Sequence, residues 1–140
     1  MKKKIVLCGS MKNLELFRKT KKKYPEYEFF PTEEHLSKIN DTVRNIDAPI
    51  PNEKRLRLIL EHLSYIREAD EVWILNEKWR EARYLVEYVG VGTALDIGYA
   101  LALDKQIKWL HRPSDPNLIA IFEGCPSKEV RKERMTIKEN

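Results

Sequence analysis

The sequence predicts an α/β fold: a single doubly wound domain spanning residues 1–140, with a mainly parallel sheet of four to five strands, of the flavodoxin or Rossmann-like kind. Three observations predict it. Short apolar runs alternate along the chain with longer amphipathic stretches, the pattern of a parallel sheet covered by helices. The first run, Ile5-Val6-Leu7-Cys8, is apolar throughout, as a strand buried on both faces must be. The length of 140 residues suits one domain that buries a core without disulfides or metals.

Lys4–Cys8 reads as the first strand, stopped by Gly9-Ser10. Ser10 is suited to capping the next element. Asn13–Lys23 carries Leu14, Leu16 and Phe17 on one side and lysines on the other, which predicts a helix that Pro25 closes off. Tyr27–Phe30 is a second strand. Pro31–Asn52 is a long polar stretch with Pro31, Pro49 and Pro51, and a short helix is expected at Glu33–Ile39. Leu56, Ile59, Leu60, Leu63 and Ile66 then recur at helical spacing, with Asn52 as the expected cap and an end near Ala69. Asp70–Leu75 is the third strand. Asn76–Val89 matches neither periodicity. Gly90-Val91-Gly92-Thr93 opens a helix over Thr93–Leu103 that Asp104-Lys105 breaks, and Gln106–Leu110 is the fourth strand. Asp115-Pro116 starts a short helix, Leu118–Glu123, with Gly124 as a left-handed stop. Arg134–Lys138 is the expected fifth strand, at an edge.

Composition narrows the function classes. Hydrophobic residues make up 42% and charged residues 34%, with a net charge of +4. The basic clusters, Lys2–Lys4, Lys19–Lys23 and Lys128–Lys138, lie on helix surfaces and at the ends with no interleaved aromatics. They read as solvated faces, so a nucleic-acid partner is not expected. The two cysteines, Cys8 and Cys125, have no CxxC spacing, and no His/Cys/Asp grouping has the spacing of a metal site, so no metal or other cofactor is expected. Cys8 reads as a small buried residue. The apolar stretch after the basic Met1–Lys4 is too short for a signal peptide or a membrane span, which makes a cytoplasmic protein the expectation.

A doubly wound sheet binds ligands beyond the C-terminal ends of its strands. Two turns belong there: Cys8-Gly9-Ser10-Met11 after the first strand, and Gly90-Val91-Gly92-Thr93 before the later helix. The second has the form of an anion cradle, though it is neither a Walker loop nor a dinucleotide fingerprint, and it reads equally as a structural turn. Asp96, three residues after Thr93, is either the back-reaching half of a capping box or a carboxylate at the mouth of the sheet, able to attack an anomeric carbon. Glu33, Glu34 and His35 follow the second strand and could reach the same edge from the long loop. Tyr99 reads as a packing or lining residue, and Trp73 and Trp109 as core.

Gly92-Thr93-Ala94-Leu95-Asp96-Ile97-Gly98-Tyr99-Ala100 resembles the signature of the nucleoside 2-deoxyribosyltransferase-like family, Gly-Thr-Ala-x-Glu-Ile-Gly-Tyr-Ala. Leu7-Cys8-Gly9-Ser10-Met11 resembles the first turn of its 2′-deoxynucleoside 5′-phosphate N-hydrolase branch. Ala69-Asp70-Glu71-Val72 resembles the start of that branch's third strand, and Lys105-Gln106-Ile107 with Trp109-Leu110 and Arg112-Pro113 its fourth strand. The resemblance covers most of the chain, in order, apart from Pro31–Asn52 and Asn76–Val89. It implies cleavage or transfer at the N-glycosidic bond of a deoxynucleoside or its 5′-monophosphate. A carboxylate would attack C1′, and a second acid on the preceding helix would assist.

On that pattern Asp96 stands where the nucleophilic Glu is expected, and the second acid falls on His62. Gly9, Ser10, Met11, Gly90, Gly92 and Thr93 would bind the substrate, a small-molecule nucleoside or nucleotide. A homodimer or larger assembly would complete the pocket. His62 is either an acid–base group or a polar residue on an amphipathic helix. The departures at Asp96 and His62 keep a second function in view, a non-catalytic nucleotide-binding module on the same fold.

Overall fold

The computed structural model describes residues 1–10, 14–37, 51–81, 84–87, 89–124 and 137. The opening apolar run forms β1 (Lys4–Gly9), whose interior residues are all buried. Helix α1 (Leu14–Lys23) follows, then β2 (Glu28–Phe30), and residues 33–37 are helical. Helix α2 (Asn52–Glu68) leads into β3 (Glu71–Leu75). Strands β4 (Lys78–Glu81) and β5 (Tyr84–Glu87) precede helix α3 (Val91–Ala102). Strand β6 (Gln106–Trp109) and helix α4 (Pro116–Glu123) complete the described elements.

The main sheet has the order β2-β1-β3-β6, and every neighbouring pair is parallel. The order reverses around β1, so the crevice between β1 and β3 is the switch point where such sheets bind ligands. Alternation along β1 divides the core in two. Ile5 and Leu7 face α1, packing with Leu14, Phe17, Trp73 and Leu75. Val6 and Cys8 face α2 and α3, packing with Ile66, Ile74, Ile97 and Trp109. Side chains of this kind each contribute roughly 1.5–3 kcal/mol by leaving water, so the two clusters clamp the sheet from both sides.

Gly9 is glycine for want of room. A Cβ there would stand 3.1 Å from both the Leu75 carbonyl oxygen and the Phe17 ring. Beyond it, Asn76 is buried and ties the end of β3 to the end of β6. Its side-chain amide donates to the His111 carbonyl at 2.7 Å and its oxygen accepts from the His111 N–H at 3.1 Å.

Several local expectations are corrected. Pro51, not Asn52, holds the cap position of α2, its carbonyl accepting from Arg55 N–H at 3.1 Å, so Asn52 is already helical. The apolar repeat of α2 is only partly core. Ile66 is fully buried, whereas Leu56 and Leu60 are each 55% exposed. At 17 residues the helix is about 25 Å long. The strands beneath it, at ~3.3 Å per residue, are shorter. Because α2 ends beside the start of β3, the excess length overhangs the C-terminal edge of the sheet. Asn76–Val89, which shows no clear period, contains the antiparallel pair β4–β5. Gly124 is not left-handed, with φ −68°. The left-handed residue is Asp104, φ 54°, just after α3, where Lys105 N–H reaches back to the Ala100 carbonyl at 2.9 Å and closes the helix. The expected strand at Arg134–Lys138 lies outside the described residues except for Ile137, which is buried and donates its N–H to the Trp109 carbonyl at 3.1 Å.

At the opposite edge of the sheet a buried carboxylate is well compensated. Glu71 is 2% exposed and accepts from Trp73 Nε1 at 2.8 Å, with Lys3 Nζ at 3.1 Å and Lys108 Nζ at 3.3 Å. Burial pushes its pKa up, but the Trp73 hydrogen bond and the two lysines outweigh burial and hold it below the ordinary 4.5. Removing one partner from such a group strands the others. Glu71→Ala is therefore expected to cost ~3–5 kcal/mol at neutral pH, read from the denaturant midpoint. Because the folded-state pKa is depressed, this stabilisation is present above the unfolded value and is lost as pH falls through the folded one. The gap between parent and variant should close on acidification, and a gap that widens would show that the charge is not the cause.

Candidate active site

Three elements bring three polar side chains to one point. Cys8 comes from the C-terminal part of β1 and is fully buried because alternation turns it onto the α2/α3 face. His62 lies one residue before Leu63 and four before Ile66, on the inward stripe of α2. Asp96 precedes the buried Ile97 on α3. His62 Nε2 sits 3.4 Å from Cys8 Sγ and 3.4 Å from Asp96 Oδ2. The ligating atoms of all three lie within 4.8 Å of one another. The side chains of His62 and Asp96 keep 12% and 15% of their surface, so the group is largely buried but retains some contact with solvent.

The charge state follows from burial. Asp96 is pushed up to about 7 by desolvation, which the hydrogen bond with Cys8 only partly offsets. His62 is pushed down to about 4 by desolvation and by its neighbour His35, against the pull of Glu61. Burial also raises the Cys8 thiol well above its ordinary value, and the Asp96 carboxylate adds to that. At neutral pH His62 is therefore uncharged, and its contact with Asp96 is a polar contact, not an ion pair.

A second polar group adjoins the first. His35 is buried and its Nδ1 lies 3.2 Å from Glu61 Oε1. Tyr65 donates to the same Glu61 oxygen at 3.0 Å, its ring edge-on to His35 and stacked on Phe30. A carboxylate only accepts, so Nδ1 carries the proton of that bond. His35 Nε2 is buried with no hydrogen-bond partner among the described residues.

The structure changes how Asp96 must be understood. Helix α3 starts at Val91, with Gly90 at the cap and the Gly90 carbonyl accepting from Ala94 N–H at 2.9 Å. Thr93 is thus inside the helix and buried, and it is not a cap. Asp96 sits a turn further in than the capping-box reading requires. A capping carboxylate is ionised by helix N–H groups and by the dipole. Asp96 shows the opposite shift, as a group beyond that first turn and desolvated should. Gly92 lies in the first turn of α3 with open space where a Cβ would stand. Ser10 directly follows β1 and is half-buried, and Met11 lies outside the described residues.

Two sequence expectations are revised here. Cys8 is buried as expected, yet it belongs to the polar group. The absence of metal-ligand spacing was a property of the linear sequence alone, since Cys8 and His62 are 54 residues apart and the fold brings them together. Glu61 carried no signal beyond its place next to His62. Tyr99 is held away, its hydroxyl accepting from Arg67 Nη2 at 2.8 Å and bridging α3 to α2. A polar groove lined by Asp70, Asp104, Lys105 and Gln106 lies at the N-terminal edge of the strands, away from this chemistry.

No family model matches the sequence, and no curated protein matches it. Solved structures do. A 2-deoxyribosyltransferase from Bacillus psychrosaccharolyticus aligns with a TM-score of 0.58 at 17% identity, over 84% of this chain and 80% of that one. A CMP N-glycosidase from Clostridium botulinum aligns with a TM-score of 0.44 at 18% identity, over 76% of this chain and 67% of its own. The first alignment shows that the chain shares the doubly wound fold of the deoxyribosyltransferase. Among the described residues no helix is long and apolar enough to cross a membrane.

The raised Asp96 pKa has a stability consequence. The folded state holds a proton on Asp96 between 3.8 and about 7 that the unfolded state releases, so this residue lowers stability as pH rises through that window. Above it the ionised carboxylate costs up to roughly 4 kcal/mol. Asp96→Asn is expected to melt at higher temperature than the parent at pH ~8, the difference vanishing below the ordinary carboxylate range. A variant that melts lower at the alkaline end would show that the carboxylate is not desolvated.

Proposed function

We propose that the protein cleaves or transfers at the N-glycosidic bond of a deoxynucleoside or its 5′-monophosphate, with Asp96 as the nucleophile. The observation that carries this reading is a desolvated, slightly exposed carboxylate near the C-terminal ends of the strands, in a segment that resembles the deoxyribosyltransferase signature. The shared fold adds support.

In the proposed reaction an Asp96 oxygen forms an ester bond to C1′ while the C1′–N bond breaks. The base leaves with the bonding electrons and takes up a proton. Water then adds to C1′, releasing the carboxylate and a proton; in transfer, a second base takes the place of water. Burial strengthens the nucleophile, since a carboxylate of higher pKa is more basic. Neutral His62 serves as a hydrogen-bonding group that positions the carboxylate. Gly9, Ser10, Met11, Gly90, Gly92 and Thr93 line the sugar and phosphate side in this reading.

The test is chromatographic detection of free base after incubation with each deoxynucleoside and deoxynucleoside monophosphate. Release from one class is expected, rising with pH through about 7 as Asp96 ionises. In Asp96→Ala it should fall by at least roughly 10⁴-fold, the scale of losing a nucleophile. Unchanged turnover in that variant removes Asp96 from the role.

One observation favours the alternative, a non-catalytic nucleotide-binding module. With His62 held down to about 4, the position of the second acid supplies no proton to a leaving base at neutral pH. That reading expects a nucleotide-dependent rise in melting temperature with no base released from any substrate.

The proposal includes a homodimer or larger assembly. The helices that carry the site leave Leu56, Leu60, Val91 and Leu95 more than half exposed. Exposed apolar side chains clustered on functional helices are characteristic of association surfaces. Sedimentation at micromolar concentration should give a multiple of 16.6 kDa, and a monomeric mass there would reject the assembly.

A further inference from the structure

We propose that Cys8 Sγ, His62 Nε2 and Asp96 Oδ2 form a binding site for a single borderline-soft divalent cation of the zinc type. This goes beyond the N-glycosidic reading and does not depend on it.

The spacing is the first observation. Zinc bonds of about 2.3 Å to sulfur, ~2.0–2.1 Å to nitrogen and ~2.0–2.2 Å to oxygen imply tetrahedral edges of roughly 3.5 Å between S and N and roughly 3.4 Å between N and O. The two measured edges are 3.4 Å and 3.4 Å. As an N–H···O hydrogen bond the second is slack, since such bonds cluster near ~2.9–3.0 Å. The third edge lies within 4.8 Å, which a small rotation about the side-chain torsions of Asp96 would close.

The second observation is rigidity. Each ligand comes from a different element, and each is anchored by buried neighbours: Cys8 among the residues of the α2/α3 cluster, His62 beside Ile66, Asp96 beside Ile97. Metal sites demand that kind of support. The third observation is access. His62 and Asp96 retain 12% and 15% of their side-chain surface, so an ion can enter and a water can complete the fourth position.

The donor set defines the chemistry. A thiolate, a neutral imidazole and a carboxylate together carry the charge that a divalent cation neutralises. Binding releases the thiol proton and whatever proton Asp96 holds. The sulfur and nitrogen donors select Zn²⁺ or Co²⁺ over Mg²⁺ and Ca²⁺, which prefer oxygen alone. An occupied site would also withhold the Asp96 carboxylate from C1′, so the metal-loaded protein should not release base.

The test uses the full chain carrying Cys125→Ser, which leaves Cys8 as the sole thiol. It is titrated with Zn²⁺ alone by calorimetry and with Co²⁺ alone by absorption spectroscopy, with no nucleotide present. The expected result is one ion per chain, a sulfur-to-cobalt charge-transfer band, and no heat from Mg²⁺. Losing a group that merely supports a metal ligand costs ~10–100-fold in affinity, so Asp96→Asn should cost at least about 100-fold. Cys8→Ser should abolish the band. Melting curves identify which variants are folded, and either one suffices if the other is not. A folded parent that shows no charge-transfer band, or zinc affinity unchanged in a folded variant, overturns the proposal. Base release measured separately in the presence of a chelator keeps the fate of the catalytic reading distinct from this one.

Discussion

The alternation of side chains along β1 is the constraint on which the rest of this molecule depends. The strand is hydrogen-bonded on both edges and covered on both faces. Its parity assigns Ile5 and Leu7 to the α1 side, and Val6 and Cys8 to the α2/α3 side. A slip of one residue would exchange the two sets. The register Leu7↔Trp73 and Cys8↔Ile74 carries the same parity into β3. Cys8 therefore meets His62 and Asp96 because a parallel sheet leaves it no other face. The tight seat of Gly9 against Leu75 and Phe17 is part of the same constraint, since it lets β1 run its full length to the edge where the polar group lies.

The two ends of the sheet treat buried carboxylates in opposite ways. At the N-terminal edge Glu71 has an indole N–H and two ammonium groups, and its charged form is favoured. At the C-terminal edge Asp96 has a thiol and an uncharged imidazole, and its charged form is disfavoured. Burial is comparable in kind, and the partners decide the outcome. The first arrangement is what a fold needs for stability. The second costs stability and leaves Asp96 with its proton near the balance point at neutral pH.

Much of this was legible in the sequence, and the parts that were not have physical reasons. The four parallel strands announced themselves as apolar runs, and the Asp115-Pro116 start of α4 was readable because its cap is a side chain. Asp115 accepts from Asn117 N–H at 2.9 Å. The start of α3 is hard to read in the sequence because Gly90 caps it with backbone alone, leaving Thr93 as the more conspicuous signal. The β4–β5 pair was hidden in a segment whose polar and aromatic residues follow no single period. Asp96 stood out through its motif. Its association with Cys8 and His62 did not, because contact between distant residues is a property of topology, which spacing along a chain does not record.

The short acidic side chain at position 96 gains meaning from the helix geometry. An aspartate carboxylate lies closer to its own backbone than a glutamate's would, and Asp96 is on α3 directly before the buried Ile97. The short side chain keeps the carboxylate near the core, where Cys8 lies towards the end of β1. That placement accounts for the desolvation and the contact with sulfur together. It also sets a trade. The desolvated carboxylate is a stronger base than a hydrated one, but the shorter side chain also reaches less far. His62, uncharged at neutral pH, adds no charge beside it. The two side chains are thus matched to each other. A neutral imidazole is the partner that a buried aspartate can tolerate at 3.4 Å, where a second carboxylate would drive its pKa higher still.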